Sequence, residues 1–199
     1  LVVGAPGMKA AYVFEKDADG NWKDAGKLTP KDLLLGHEFG GAYARAGNRN
    51  ANIAMAGAQV VVTSYNSATK SGLAHVFGRR DGVWVETDVF TAHTAKDGDG
   101  YAVTVAANDA NIFVAAPGFN DGKGQVYVFM DHGQWMQMGS LNVTSEEPAS
   151  LGTSMSVSGG KVYVGAPGYN KTGAVLIYEM QPSGLYGQVG IIEPPAVAE

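Results

Sequence analysis

The sequence predicts an all-β fold, built as β-propeller blades of four antiparallel strands, about 3.75 blades at a period near 50 residues. Three observations carry this expectation. Twenty-eight glycines, with Pro, Asn, Asp and Ser, punctuate short Val, Ile, Tyr and Phe runs, a pattern of many turns and few helices. Landmarks then recur: Val3, Val62, Val114 and Val164 fall in register, as do Tyr12, His75, Tyr127 and Ile177. Trp22, Trp84, Trp135 and Tyr186 likewise precede Leu28, Phe90, Leu141 and Ile192 by a constant interval. Finally, each unit spells four short strands, and four strands at this period select a propeller over a sandwich.

The elements follow in chain order. Blade 1 (1–30) holds "LVVGAPG" and "YVFE" before its Trp strand, and lacks an inner strand. Blade 2 (38–92) begins at "EFGGAYA", carries about nine extra residues around "AGNRNAN", and reads "VVTSYNSATKSG" where the Ala-Pro step is expected. Blade 3 (99–143) runs "YAVTVAA", "NIFVAAPG", "QVYVF" and "GQWMQMGSLNV"; blade 4 (150–193) runs "TSMSVSG", "KVYVGAPG", "IYEM" and the Tyr186 strand, and 194–199 is a tail. Inner strands rich in Ala, Ser, Thr and Val suit a crowded centre. The outer strands carry aromatics, which fill the widening space between blades.

The steps "VVGAPG", "FVAAPG" and "YVGAPG", with "EFGGAYA" and the degenerate "DGYAVTV" and "LGTSMSV", resemble FG-GAP repeats, the unit of the integrin α-subunit propeller. The resemblance spans nearly the whole chain. It implies a non-catalytic module of an extracellular or cell-envelope protein, of the cell-adhesion kind, that binds a protein or glycan through loop faces. Propellers of this family normally have seven blades, so the chain reads as roughly half of one. The alternative is an accessory or catalytic propeller of a secreted hydrolase or lyase whose active residues lie outside this segment. A third reading is a purely structural array element.

Composition narrows the options. A net charge of -5 without a basic cluster beyond Arg79-Arg80 argues against nucleic acid, and there is no apolar run of membrane-spanning length. The chain has no cysteine, hence no disulfide or thiol chemistry. It opens in the middle of a repeat, without an initiator Met, which suggests a piece of something longer. A half-propeller exposes one blade face at each end, favouring association with the remaining blades or with a second copy.

For cofactors the expectation is none. The family's calcium loops fall between first and second strands, here "RAGNRNANIAMAGAQ", "AANDAN" and "SGGK", which supply too few carboxylates. Asp17, Asp19, Asn21 and Asp24 alternate as calcium ligands would, but in a turn between third and fourth strands, and Asp97 and Asp99 precede a repeat glycine. His37, His75, His93 and His132 fall at unrelated repeat positions, and there is no nucleophile elbow, phosphate loop or zinc-protease motif. No catalytic residue is expected. Sequons occur at Asn142 and Asn170. The candidate ligand-binding residues lie after each Gly-Ala-Pro turn, where loops emerge on one face: Tyr65, Asn66 and Lys70; Phe119, Asn120 and Lys123; Tyr169, Asn170 and Lys171. An aromatic plane flanked by an amide and an ammonium suits a sugar or a partner's side chain. The plainer account is a left-handed Asn turn with the aromatic packed on the blade edge.

Overall fold

A computed structural model describes residues 1–40, 44–45, 48–49, 52–92, 94–145 and 147–195, with backbone alone at 44–45 and 48–49. His93, Glu146, residues 41–43 of the "EFGGAYA" step, residues 46–47 and 50–51 of the "AGNRNAN" insertion and tail residues 196–199 lie outside the described residues. The β-propeller blades predicted by the sequence are present.

The first sheet joins β1 (Val2–Ala5), β2 (Ala10–Lys16) and β3 (Trp22–Leu28), with β1 at its edge. The second contains β4 (Glu38–Phe39), β7 (Ile53–Ala56), β8 (Gln59–Asn66), β9 (Ser71–Arg80) and β10 (Val83–Phe90). Between β4 and β7 the hairpin β5 (Ala44–Arg45) and β6 (Asn48–Arg49) forms its own pair. The third is β11 (Val105–Ala107), β12 (Asn111–Ala116), β13 (Gln125–Asp131) and β14 (Trp135–Leu141). The fourth is β15 (Ser154–Ser158), β16 (Lys161–Ala166), β17 (Ala174–Met180) and β18 (Tyr186–Ile192). All the paired strands run antiparallel, and the inner strands β7, β11 and β15 adjoin one another, as they must where blades converge.

Side-chain alternation divides each sheet between two neighbours. Val60 and Val62 of β8 join Ala11, Val13, Leu28, Phe39 and Phe77 in the joint between blades 1 and 2, while Val61 turns toward blade 3. On β12, Ile112, Val114 and Ala116 face blade 2, whereas Phe113 and Ala115 pack against blade 4. A sheet buried on both sides must be apolar at every position, which is why "NIFVAA" is buried throughout.

The structure corrects the blade 2 reading. The stretch expected as a first-to-second connection, "RAGNRNANIAMAGAQ", contains the inner strand itself: β4 pairs with β8 at Tyr65 and Ser64, β7 pairs with it from Val62 to Gln59, and residues 41–51 are inserted between. A second correction is one of register. Val114 opposes Tyr127, and the equivalent Val164 opposes Leu176, so Leu176 rather than Ile177 is the counterpart of Tyr127. The turn in blade 4 is one residue shorter, and a one-residue slip exchanges the two faces.

A bulge unseen in the sequence interrupts the outer pair of every blade, with Ala25, Thr87, Met138 and Val189 as the extra residues. Each lies three positions after the Trp or Tyr landmark, and each adds local twist to the outer strand.

Candidate functional site

The linkers between blades and the turns between second and third strands meet on one side of the molecule. Gly98 N–H donates to Thr69 O, Gly100 to Lys70 O, Ser150 to Gly122 O, Leu151 to Lys123 O and Gly168 to Ala149 O. The first four of these backbone bonds weld a turn to the linker that precedes the next inner strand, and the fifth ties the blade 4 turn to the linker before its own. Gly124 is required there: its φ is +84°, and a Cβ would collide with the backbone of Leu151.

Under this face, between blades 1 and 2, lies a polar chain. The His37 ring, half-buried on the linker, has Nδ1 3.2 Å from Ser64 Oγ, and Ser64 Oγ lies 2.8 Å from His75 Nε2. His75 Nδ1 is 2.7 Å from Glu86 Oε1, and Glu86 Oε2 accepts the Lys31 backbone N–H at 3.0 Å. Ser64 and His75 are fully buried and Glu86 nearly so. The chain's polarity follows from its carboxylate end. Glu86 accepts from His75 Nδ1–H, which leaves His75 Nε2 to accept the Ser64 hydroxyl proton. Ser64 oxygen then accepts from His37 Nδ1–H, so His37 carries its lone pair on Nε2. Burial holds His75 below the ordinary histidine range, partly offset by Glu86. Burial, with His75 nearby, also lowers His37, so both rings are neutral at pH 7.

Repeat spacing hid this constellation because only blade 2 has it. At the position of His75, blade 3 has Tyr127, whose hydroxyl bonds Thr94 of the next linker at 2.9 Å, and blade 4 has Leu176. The detectable signal was His75 itself, a histidine in an otherwise aromatic or aliphatic buried column.

The nine loop residues lie on the welded face, but not as three equal sets. Tyr65 is buried, Phe119 packs edge-on against Tyr127 and Tyr169 packs against the joint of blades 3 and 4. Asn66 Oδ1 caps its turn through Ala68 N, and Lys70, Asn120, Asn170 and Lys171 have left-handed backbones. Lys123 contributes its carbonyl to Leu151. Polar side chains project in blade 4, where Asn170 bonds Glu193 and Lys171 pairs with Glu147 beside a groove of about 390 Å³. On another part of the surface, Arg79, Arg80, Asp88, Asp131 and Trp135 line a polar groove of about 810 Å³ between blades 2 and 3.

The acidic turn is engaged locally: Asp17 Oδ1 accepts Asp19 and Asn21 N–H, its carboxylate pairs with Lys23, and these contacts hold it below its usual range. Asp99 accepts the Lys96 N–H. Of the sequons, Asn142 and Asn170 are both exposed.

No protein-family model matches the chain, and no curated protein matches it in sequence. Solved structures do match in fold. A "putative 6-phosphogluconolactonase" from Bacteroides fragilis superposes with a TM-score of 0.56 at 15% identity over 97% of this chain and 54% of its own. A protein from Lactobacillus plantarum superposes with a TM-score of 0.55 at 15% identity over 96% of this chain and 56% of its own. The chain thus spans little more than half the length of these structures. These findings overturn the FG-GAP resemblance and what it implied: an integrin-like, non-catalytic, cell-adhesion module in an extracellular or cell-envelope setting. The physical reason is that Gly-Ala-Pro-Gly is turn chemistry. Pro ends a strand and Gly admits the tight reversal in any blade, whatever the protein does. What the likeness shows is the fold, a β-propeller of the architecture these structures share.

Proposed function

We propose that the chain is part of a catalytic propeller that hydrolyses a sugar lactone. The observation that carries this reading is the fold likeness over nearly the whole chain to a structure described as a "putative 6-phosphogluconolactonase". The polar chain under the loop face supports it. A neutral imidazole, half-buried and held by Ser64 as the Nδ1–H tautomer, leaves its Nε2 lone pair to act as a base.

In this reading Nε2 of His37 takes a proton from water as its oxygen attacks the lactone carbonyl. The ring C–O bond breaks, and the departing alkoxide takes up the proton, leaving a hydroxy acid. Ser64, His75 and Glu86 are positioning residues that hold the tautomer. Lys70, Lys123 and Lys171, on the same face, suit a substrate bearing a phosphate.

The test follows ring opening of 6-phosphogluconolactone against its spontaneous rate. His37→Ala is expected to lower kcat by about 10²–10⁴-fold with little change in KM. Lys171→Ala is expected to raise KM. A wild-type rate equal to the spontaneous one, or an unchanged kcat in His37→Ala, defeats the proposal.

A further inference from the structure

The charged groove between blades 2 and 3 lies on the side away from the welded turns, where the hairpins of the third and fourth strands emerge. The joint between blades 1 and 2 shows what fills the same place one blade earlier. There Arg79, the residue opposite Trp84, lays its guanidinium over the indole, with Cζ 4.9 Å from the ring centroid. Its Nη2 lies 3.0 Å from Glu15 Oε1 and donates to the carbonyl of Ala25, the bulge residue, at 3.2 Å. Blade 1 repeats the stacking within itself, since Lys16, opposite Trp22, holds Nζ 5.3 Å from that ring. Between blades 2 and 3 the cation is missing and carboxylates stand around its place. The residue opposite Trp135 is Asp131, and Gly78 stands where blade 1 has Glu15, beside the hollow of about 810 Å³. Thr87, the counterpart of Ala25, is followed by Asp88 where blade 1 has Gly26. The half-buried Trp135 gives its Nε1–H to Gln59 Oε1, whereas Trp84 gives its own to the bulge carbonyl.

The charges of the groove are not spent on one another. Asp88, half-buried, has neither an ion pair nor a side-chain hydrogen bond among the described residues. Asp131 Oδ1 accepts the Gly133 N–H at 2.8 Å, which leaves Oδ2 to a ligand. Arg80 lines the same groove and forms no ion pair among the described residues. Opposite charges held apart around one hollow suit a ligand that carries both. We propose that this groove binds a guanidinium carboxylate of the arginine type, either the free amino acid or the C-terminal arginine of a peptide. The guanidinium takes the place that Arg79 fills in the preceding joint, over Trp135 and between Asp88 and Asp131, where its planar fork of donors matches carboxylate oxygens. The carboxylate of the ligand pairs with Arg80. This site is separate from the His37 chain and stands or falls apart from the lactonase reading.

Isothermal titration calorimetry of the 199-residue chain with L-arginine at tens of millimolar is expected to show one saturable site. L-citrulline, with a neutral urea in place of the guanidinium, is expected to give none. Agmatine, which lacks the carboxylate, is expected to bind about fivefold more weakly than arginine, the worth of one exposed charge pair. Asp88→Asn combined with Asp131→Asn is expected to abolish binding with unchanged far-UV circular dichroism, since an amide at 131 still accepts the Gly133 N–H. Arg80→Gln is expected to bring the affinity for L-arginine down to that for agmatine and to leave agmatine unchanged. Glycyl-arginine separates the two sources: affinity equal to that of arginine places peptide ends among the ligands, and its loss restricts the site to the free amino acid. No saturable heat with L-arginine, citrulline binding as tightly, or binding retained by the double Asn variant overturns the proposal.

Discussion

His75 concentrates the chemistry of blade 2 in one buried ring, and its stability signature has a definite sign. Desolvation lowers its folded pKa below the ordinary 6.5, outweighing the pull of Glu86. The unfolded chain therefore binds a proton below about pH 6.5 that the folded chain refuses, and stability falls as pH drops through that window. One such proton is worth at most about 1.4 kcal/mol per pH unit. Asp17 is likewise lowered, from 3.8, so its contribution is intact in this window and lost only in more acid solution. Urea midpoints of the wild type are expected to fall from pH 7.5 to pH 5. In His75→Gln, which hydrogen-bonds without titrating, the slope is expected to shrink, while stability at pH 7.5 drops by about 1–3 kcal/mol from an imperfectly satisfied buried chain. An identical slope in the variant would show that the acid sensitivity lies elsewhere. None of this was legible from spacing, because repeats reveal what recurs and the Ser64–His75–Glu86 chain occurs in one blade. The aromatic–Asn–Lys loops did recur, and for that reason they are mostly turn chemistry: left-handed Asn120 and Asn170, and aromatics packed at blade edges.

The blades were readable as elements because strand periodicity and turn residues act locally, and the Trp-to-Leu interval survives every bulge since all four blades carry the same one. Two features were not readable, and both concern pairing between distant residues. The inner strand of blade 2 is split by an insertion, so its halves meet only through β8. In blade 4 a shortened turn moves the partner of Val164 from Ile177 to Leu176, although both residues are apolar and either would fill the slot. The register makes a prediction that composition alone does not. Leu176 is fully buried in the joint with blade 3, so Leu176→Ala is expected to cost about 2–5 kcal/mol. Ile177 lies on the opposite face, and Ile177→Ala is expected to cost under about 1.5 kcal/mol. Urea denaturation compares them. A larger loss in Ile177→Ala than in Leu176→Ala would mean that the register is that of the sequence landmarks instead.

Across the whole molecule, stability is distributed along an arc. Among the described residues, blades 2 and 3 are packed on both sides, whereas blades 1 and 4 each have one joint, formed by the blade 1–2 and blade 3–4 clusters. In such a linear array each blade is stabilised by its neighbours, so opening begins at the ends. Blade 1 is further disadvantaged, since β1 is an edge strand with no inner partner among the described residues. Amide hydrogen exchange in the 199-residue chain is therefore expected to be slowest in β12 and β13, faster in β17, and fastest in β1 and β2. Uniform protection would show instead that the arc unfolds as a single cooperative unit, with the end joints no weaker than the central one.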